Sequence, residues 1–251
     1  MAPRLTLVPV GVGAAYSRPG EAQSSHLVRA GERAYLVDMG SGAFSNLLGL
    51  VERPHELDGV FITHRHPDHC VDLIAFCVWM AWGPGAGHRV RVVGPPGLRD
   101  RLGAFANEPW DECFAFEEWA PGGGAIDLGD GLVLTHREVP HVAPTNAVRF
   151  DRGGASVCYG ADCAPGPELP ALAAGCDVLL CECTFGVGPV PDGVPHLDAE
   201  GAGRAAAAAA AKRLLLTHSY PDVDRDAALR IVRRHYGGPA SWARQGEEVA
   251  L

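Results

Sequence analysis

Positive charge is scarce in this chain: Lys and Arg number 21 against 30 Asp and Glu, a formal net charge of −9. Polyanion binding needs clustered basic residues, so a large nucleic-acid partner is disfavoured and a small substrate is favoured. No run of about 18 apolar residues is present, which argues against a membrane-spanning helix. The opening Met1-Ala2-Pro3-Arg4 lacks the charged and apolar regions of a secretory signal, so the expected location is the cytoplasm. None of the eight Cys forms a CxxC pair. Cys158, Cys181 and Cys183 lie in apolar strand-like runs and Cys70 and Cys77 in an expected helix, so they read as reduced core thiols. Cys181-Glu182-Cys183 makes a poor metal site, because alternate residues of a strand share a face and diverge little. Gly11-x-Gly13 lacks the third glycine and the strand-turn-helix context of a dinucleotide fingerprint, and reads as a turn. There is no solenoid-period repeat and no linker.

What is present suits one α/β domain spanning residues 1–251: 47% of residues are apolar, and the 32 Gly and 20 Pro are scattered between apolar runs as turn punctuation. Strands are expected at Leu5–Val10, Ser25–Val28, Ala34–Asp38, Gly59–Thr63, Arg89–Val93, Leu132–Glu138, Ala147–Phe150, Ser156–Gly160, Val178–Cys183 and Arg213–Thr217, with one more near the C-terminus. Helices are expected at Cys70–Trp82, Leu98–Ala106, Asp198–Lys212 and Arg225–His235, the third capped by Asp198 and rich in alanine for close packing. An irregular aromatic and acidic stretch is expected up to Pro121.

The densest chemistry is Thr63-His64-Arg65-His66-Pro67-Asp68-His69, which places four metal-ligand side chains within six residues at the end of an apolar strand. Imidazole and carboxylate suit zinc, manganese or iron. Left unpartnered beside a buried strand, such a cluster would carry a heavy desolvation cost.

This HxHxDH motif resembles the signature of the metallo-β-lactamase superfamily, and the rest of that family's ligands have counterparts in order downstream. The third-ligand His resembles His141 in Val139-Pro140-His141, the bridging Asp resembles Asp162 in Gly160-Ala161-Asp162, and the last His resembles His218 in Leu216-Thr217-His218. The nearby His136 falls inside a strand pattern rather than at a rim, which favours His141. Asp38 in Leu36-Val37-Asp38-Met39-Gly40 matches the structural aspartate that supports the metal loop. The resemblance implies a four-layer αββα sandwich holding two divalent ions per chain, zinc first and manganese or iron as alternatives. His64, His66 and His141 would hold one ion, Asp68, His69 and His218 the other, and Asp162 with a hydroxide would bridge both. His26, His55, His88 and His235 have no ligand-rich surroundings and read as solvated or structural.

Two details resemble the ribonuclease Z-like phosphodiesterase branch: Glu182 at a strand end in Cys181-Glu182-Cys183-Thr184-Phe185, and His196 ahead of the following helix. A phosphodiester leaving group needs a proton, and a His kept cationic by a Glu can supply it. The resemblance thus implies Asp68, Glu182 and His196 as catalytic residues, with Asp68 orienting or deprotonating the nucleophile. The long RNA-gripping arm of true ribonuclease Z has no counterpart here. Asp68-His69-Cys70-Val71-Asp72-Leu73, Phe76–Trp79 and Leu214-Leu215-Leu216-Thr217-His218 also resemble the actinobacterial atypical class II cyclic-AMP phosphodiesterase group, whose relatives often pair as homodimers. The substrate expected is a small cyclic nucleotide or similar phosphodiester. The same ligands also serve hydrolysis of a carboxylic ester, lactone or thioester, and a non-catalytic metal-binding protein is the alternative outside enzymes.

Overall fold

In the computed structural model, which describes residues 5–251, two seven-stranded sheets lie face to face. In chain order the first sheet holds β1 (Leu5–Gly11), β2 (Ser25–Ala30), β3 (Arg33–Val37), β4 (Gly59–Phe61), β5 (Val90–Gly94) and β6 (Phe114–Glu118). The second holds β7 (Gly123–Gly129), β8 (Leu132–Val139), β9 (Thr145–Arg152), β10 (Ala155–Tyr159), β11 (Val178–Glu182), β12 (Leu214–Thr217) and β13 (Ala240–Trp242). A last strand, β14 (Val249–Ala250), returns to pair antiparallel with β1 in the first sheet.

Alternation along each strand decides what it faces. Leu5, Leu7, Tyr35, Val37, Val157, Tyr159, Leu180 and Leu215 fill the space between the sheets. Their neighbours Val8, Val10 and Leu36 face outward on one side, and Cys158, Leu179, Cys181, Leu214 and Leu216 face outward on the other. The first outer face is covered by α1 (Ala43–Leu47), α2 (Pro67–Cys70), α3 (Leu73–Trp82), α4 (Leu98–Phe105) and α5 (Trp110–Cys113). The second is covered by α6 (Glu168–Leu172), α7 (Ala199–Ala208) and α8 (Arg225–His235). The result is the αββα sandwich.

Strand direction places the site. β3 to β6 run parallel, as do β10 to β13. β1 stands two antiparallel steps from β3, and β8 two from β10, so each recovers its set's direction. Loops leaving β1, β3, β4, β8, β10, β11 and β12 therefore meet at one rim, as ligand-binding loops do in open α/β sheets.

Three segments depart from the sequence expectation. The helix expected over Cys70–Trp82 is broken at Val71-Asp72: the His69 carbonyl accepts from Met39 N–H at 2.7 Å and Asp72 N–H donates to the Met39 carbonyl at 3.0 Å, while the Asp72 carboxylate caps α1 at Phe44 N–H, 2.9 Å away. The stretch expected to be irregular up to Pro121 contains α5 and the edge strand β6, and beyond it Gly123-Gly124 conceals β7. The alanine helix ends at Ala208 rather than Lys212. Its exit is pulled back by Gly175 N–H onto the Ala209 carbonyl and Lys212 N–H onto the Cys176 carbonyl, which aims the chain into β12. Within α7, a Cβ on Gly203 would sit 3.1 Å from the Val232 carbonyl oxygen, so glycine is what lets α7 lie close on α8.

Candidate metal centre

Rim geometry begins with backbone strain. Asp38 (φ 62°), Ala161 (φ 52°) and His218 (φ 52°) are left-handed non-glycine residues, and all three stand just past the ends of β3, β10 and β12. Each such conformation costs roughly 1–3 kcal/mol, which the core below offsets at about 1.5–3 kcal/mol per fully buried Leu or Phe. Strain kept at three strand ends aims side chains that regular strands would point elsewhere. Gly40 serves the same end, since a Cβ there would lie 2.0 Å from the Asp68 carbonyl oxygen; the exit from β3 can pass beneath the His-rich turn only as glycine.

All seven sequence-predicted ligand residues meet at this rim. The facing atoms of His64, His66, His141 and Asp162 lie within 4.8 Å of one another, and so do those of Asp68, His69, Asp162 and His218, with Asp162 shared. In the first group His66 Nδ1 is 3.0 Å from His64 Nε2 and 3.3 Å from His141 Nε2. In the second, His218 Nε2 is 3.3 Å from His69 Nε2 and 3.2 Å from Asp68 Oδ2. Asp162 reaches His64 at 3.7 Å, and His69 and His218 at 3.4 Å each.

The outward nitrogens fix which atoms face inward. His69 Nδ1–H donates to Asp38 Oδ2 at 2.7 Å and His141 Nδ1–H to the Pro195 carbonyl at 3.0 Å. A carboxylate and a carbonyl only accept, so the proton sits on Nδ1 and the Nε2 lone pair points to the centre. His64 Nδ1 lies 3.1 Å from Thr63 Oγ1, whose hydroxyl donates to Asp38 at 2.9 Å. His218 Nδ1 lies 2.8 Å from Thr184 Oγ1, whose hydroxyl donates to Glu182. Four imidazoles are thereby held by Nδ1 with Nε2 aimed at one space.

Charge balance agrees with a cation there. Asp38, Asp68 and Asp162 are buried, and their ion-pair partners among the described residues are histidines alone. Against the upward push of burial, His218 and His69 hold the Asp162 carboxyl well below its ordinary value. Against the downward push of burial, Asp162 and Asp38 hold the His69 imidazole well above its own. Burial and neighbouring histidines push His64 well below the usual range, and burial lowers His66 and His141. Asp162 Oδ1 is buried without a hydrogen-bond partner. Five imidazoles, acids whose ion-pair partners are histidines alone, and an orphaned carboxylate oxygen are together oxygen and nitrogen donors of the kind that hold divalent metal, so the residues fit metal.

Glu182 and His196 adjoin the second cluster. The fully buried Glu182 carboxylate accepts from Cys163 N–H at 2.8 Å, Leu197 N–H at 3.1 Å and the Thr184 hydroxyl. Its Oε1 also lies 3.0 Å from His196 Nδ1. The His196 ring stacks parallel to His218 at 5.8 Å and meets His141 at 5.1 Å. Burial lowers its pKa, but Glu182, then Asp162 and Asp68, outweigh this and raise it. Backbone amides, a hydroxyl and an imidazole thus share the Glu182 carboxylate.

The remaining histidines lie elsewhere. His136 is buried in β8 with Nδ1 2.8 Å from Asn146 Oδ1 and its ring against Trp119. His26 packs edge-on against Tyr159, and burial pushes it down to about 3. His55 stacks on Trp79 and abuts His88, while His235 lies 3.9 Å from Glu200. Cys181 and Cys183 are buried on the face away from Glu182, and all eight thiols are free. Sequence reasoning missed Thr184, which ties Glu182 to His218; its signal was its place two residues after Glu182, in the turn that leaves β11.

Residues 33–219 match the beta-lactamase superfamily domain. The chain belongs to that superfamily. Among relatives of this superfamily member, an uncharacterized protein of Mycobacterium leprae is 34% identical over 242 residues, covering 91% of this chain and 82% of its own. A ribonuclease Z of Mycobacterium bovis BCG is 29% identical over 195 residues, covering 70% of this chain and 69% of its own. The crystal structure of the metallo-beta-lactamase fold protein YhfI from Bacillus subtilis superposes with a TM-score of 0.89 at 23% identity, over 99% of this chain and 100% of that one. Such relatives are consistent with the ribonuclease Z-like branch. Membership and two His/Asp clusters able to hold metal support a metal-dependent hydrolase. No helix among the described residues is long and apolar enough to cross a membrane.

Proposed function

We propose that this hydrolase is a dinuclear, zinc-dependent phosphodiesterase of the cytoplasm acting on a small cyclic nucleotide or similar phosphodiester. The observation that carries this reading is the Glu182–His196 pair beside the second metal cluster. An alkoxide leaving a phosphodiester needs a proton, whereas a carboxylic ester or lactone opened by water asks less of a dedicated acid. Supporting it are the ribonuclease Z relative, whose named activity is on a phosphodiester, and the acidic net charge of −9, which favours a small substrate over RNA. Eight free, buried thiols suit a reducing compartment.

His64, His66, His141 and Asp162 would hold one ion, and Asp68, His69, His218 and Asp162 the other. When bound, such a pair supplies Lewis acidity, activating water and neutralising charge on phosphoryl oxygens. Asp68, 3.2 Å from His218 Nε2 and only 6% exposed, orients the attacking water and takes its proton. With Nδ1 committed to Glu182, His196 carries its transferable proton on Nε2 and gives it to the departing ribose oxygen. Asp38 and Thr184 touch no substrate; they position His64, His69 and His218 through the outward nitrogens. Substrates are oriented, on this reading, between the two imidazole clusters with the leaving group toward His196.

The test is a panel of cyclic nucleotides, dinucleotides, bis-aryl phosphates and aryl esters, run with zinc and with manganese against Asp162→Ala. The reading predicts phosphodiester turnover that Asp162→Ala abolishes. Turnover of esters or lactones alone would assign the carboxylic chemistry instead. Two bound ions with no turnover of any substrate would leave a metal-binding protein.

A further inference from the structure

One aromatic run is left unused by this chemistry. Tyr16, on the loop leaving β1, is 57% exposed, yet its ring stacks on Tyr220 with centroids 4.4 Å apart and planes 15° apart. Tyr220 meets Phe185 edge to face at 5.6 Å, and Phe185 lies 6.2 Å from His196. Aromatic rings thus run unbroken from solvent to the proton donor. Together with Thr184, Val187 and Asp222 they line a recess of about 360 Å³, within the size range of small-ligand sites.

The position of Tyr16 is built into the rim. His218 N–H donates to the Val12 carbonyl at 2.9 Å, and Gly13 pairs with Ser219. Arg18 Nη2 then donates to the Val223 carbonyl at 3.0 Å, fastening the Tyr16 loop to the segment that follows His218. These contacts hold the platform beside the metal centre before any substrate arrives. Polarity selects what it could take. Asp222 and Asp224 are among the described lining residues, and no Lys, Arg or His is, so the recess repels a phosphate and suits a neutral planar group. Stacking surfaces accept any base, and a carboxylate at the edge offers an acceptor for an exocyclic amino group.

We infer that this recess is the nucleobase subsite of a nucleotide phosphodiester, with Tyr16 and Tyr220 as the stacking platform and Tyr16 as the residue that favours a base-bearing diester over a base-free one. The inference rests on the phosphodiesterase reading above. The phosphate lies at the metal clusters, the leaving oxygen faces His196, and the base extends toward Tyr16.

The test compares zinc-loaded wild-type protein with Tyr16→Ala and Tyr16→Phe on 3′,5′-cyclic AMP and on glycerol 1,2-cyclic phosphate, which has no base. Tyr16→Ala is expected to raise KM for cyclic AMP about tenfold with kcat little changed. The base-free diester should be unaffected, and Tyr16→Phe should restore the wild-type KM. AMP binding by equilibrium dialysis should weaken about tenfold in Tyr16→Ala, with ribose 5-phosphate unmoved. If the wild type hydrolyses both diesters while Tyr16→Ala leaves KM for cyclic AMP unchanged, or raises both KM values alike, the base subsite is refuted and the phosphodiesterase reading stands. If wild-type protein hydrolyses no phosphodiester, that reading falls and the subsite with it.

Discussion

Replacing Glu182 with Gln changes one atom and one charge, and the structure says what each is worth. The carboxylate accepts from Cys163 N–H, Leu197 N–H, the Thr184 hydroxyl and His196. A Gln amide brings two hydrogens into a site whose neighbours are donors, so at least one buried group loses its acceptor, at a cost of about 1–3 kcal/mol in stability. The larger effect falls on His196, whose pKa is lowered by burial and raised above its ordinary value chiefly by Glu182. A raised pKa keeps the proton on at higher pH, so acid-dependent turnover is present below that pKa and lost as pH rises through it. Without Glu182 the loss moves to lower pH. General acid catalysis contributes about 10²- to 10⁴-fold, so Glu182→Gln should slow cyclic nucleotide hydrolysis, with its poor alkoxide leaving group, by about 10²-fold or more at neutral pH. Hydrolysis of bis(4-nitrophenyl) phosphate, whose leaving group needs no proton, should change only a few-fold, and His196→Ala should show the same split. Equal losses on both substrates, with the alkaline limb of the pH profile unmoved, would refute the reasoning.

Gly40→Ala forces a Cβ to 2.0 Å from the Asp68 carbonyl oxygen. Overpacking of this kind costs about 1–3 kcal/mol, and thermal unfolding together with metal analysis should show a lower Tm and a weaker hold on the ion at Asp68. Asp38→Asn removes the charge that receives His69 Nδ1–H at 2.7 Å; metal affinity measured by chelator competition should fall by about 10- to 100-fold, and unchanged affinity would contradict the positioning role. Burial pushes the Cys70 thiol up to about 12 and Cys176 to about 11. An aromatic disulfide reagent should therefore label native protein very slowly at pH 8 and titrate eight thiols after denaturation.

The convergence of the candidate ligands was legible because its chemistry is local in two ways: four candidate ligands crowd into His64-to-His69, and His141, Asp162 and His218 each follow an apolar strand run. Apolar runs also marked β10, β11 and β12 as strands, but burial on both sides hid their faces; Cys158 and Cys181 turn toward helices and Tyr159 and Leu180 toward the opposite sheet. Tertiary demands hid the rest. Nothing in Val71-Asp72 announces a helix break, because the cause is Met39, more than thirty residues earlier in the chain. β7 opens on two glycines that carry no strand signal of their own, and pairing with β8 over Gly123–Gly129 alone makes it a strand. Thr184 and Tyr16 gain their roles from partners at His218 and Tyr220, which spacing within the sequence cannot reveal.

The central claim is that Asp162 bridges two clusters of ligands drawn from loops after β4, β8, β10 and β12, and metal stoichiometry tests it most directly. Elemental analysis of dialysed, zinc-reconstituted protein should give two ions per chain for the wild type, about one for His218→Ala, and a loss at both clusters for Asp162→Ala. A wild-type protein holding one ion per chain or fewer, or an Asp162→Ala variant that keeps two, would contradict it.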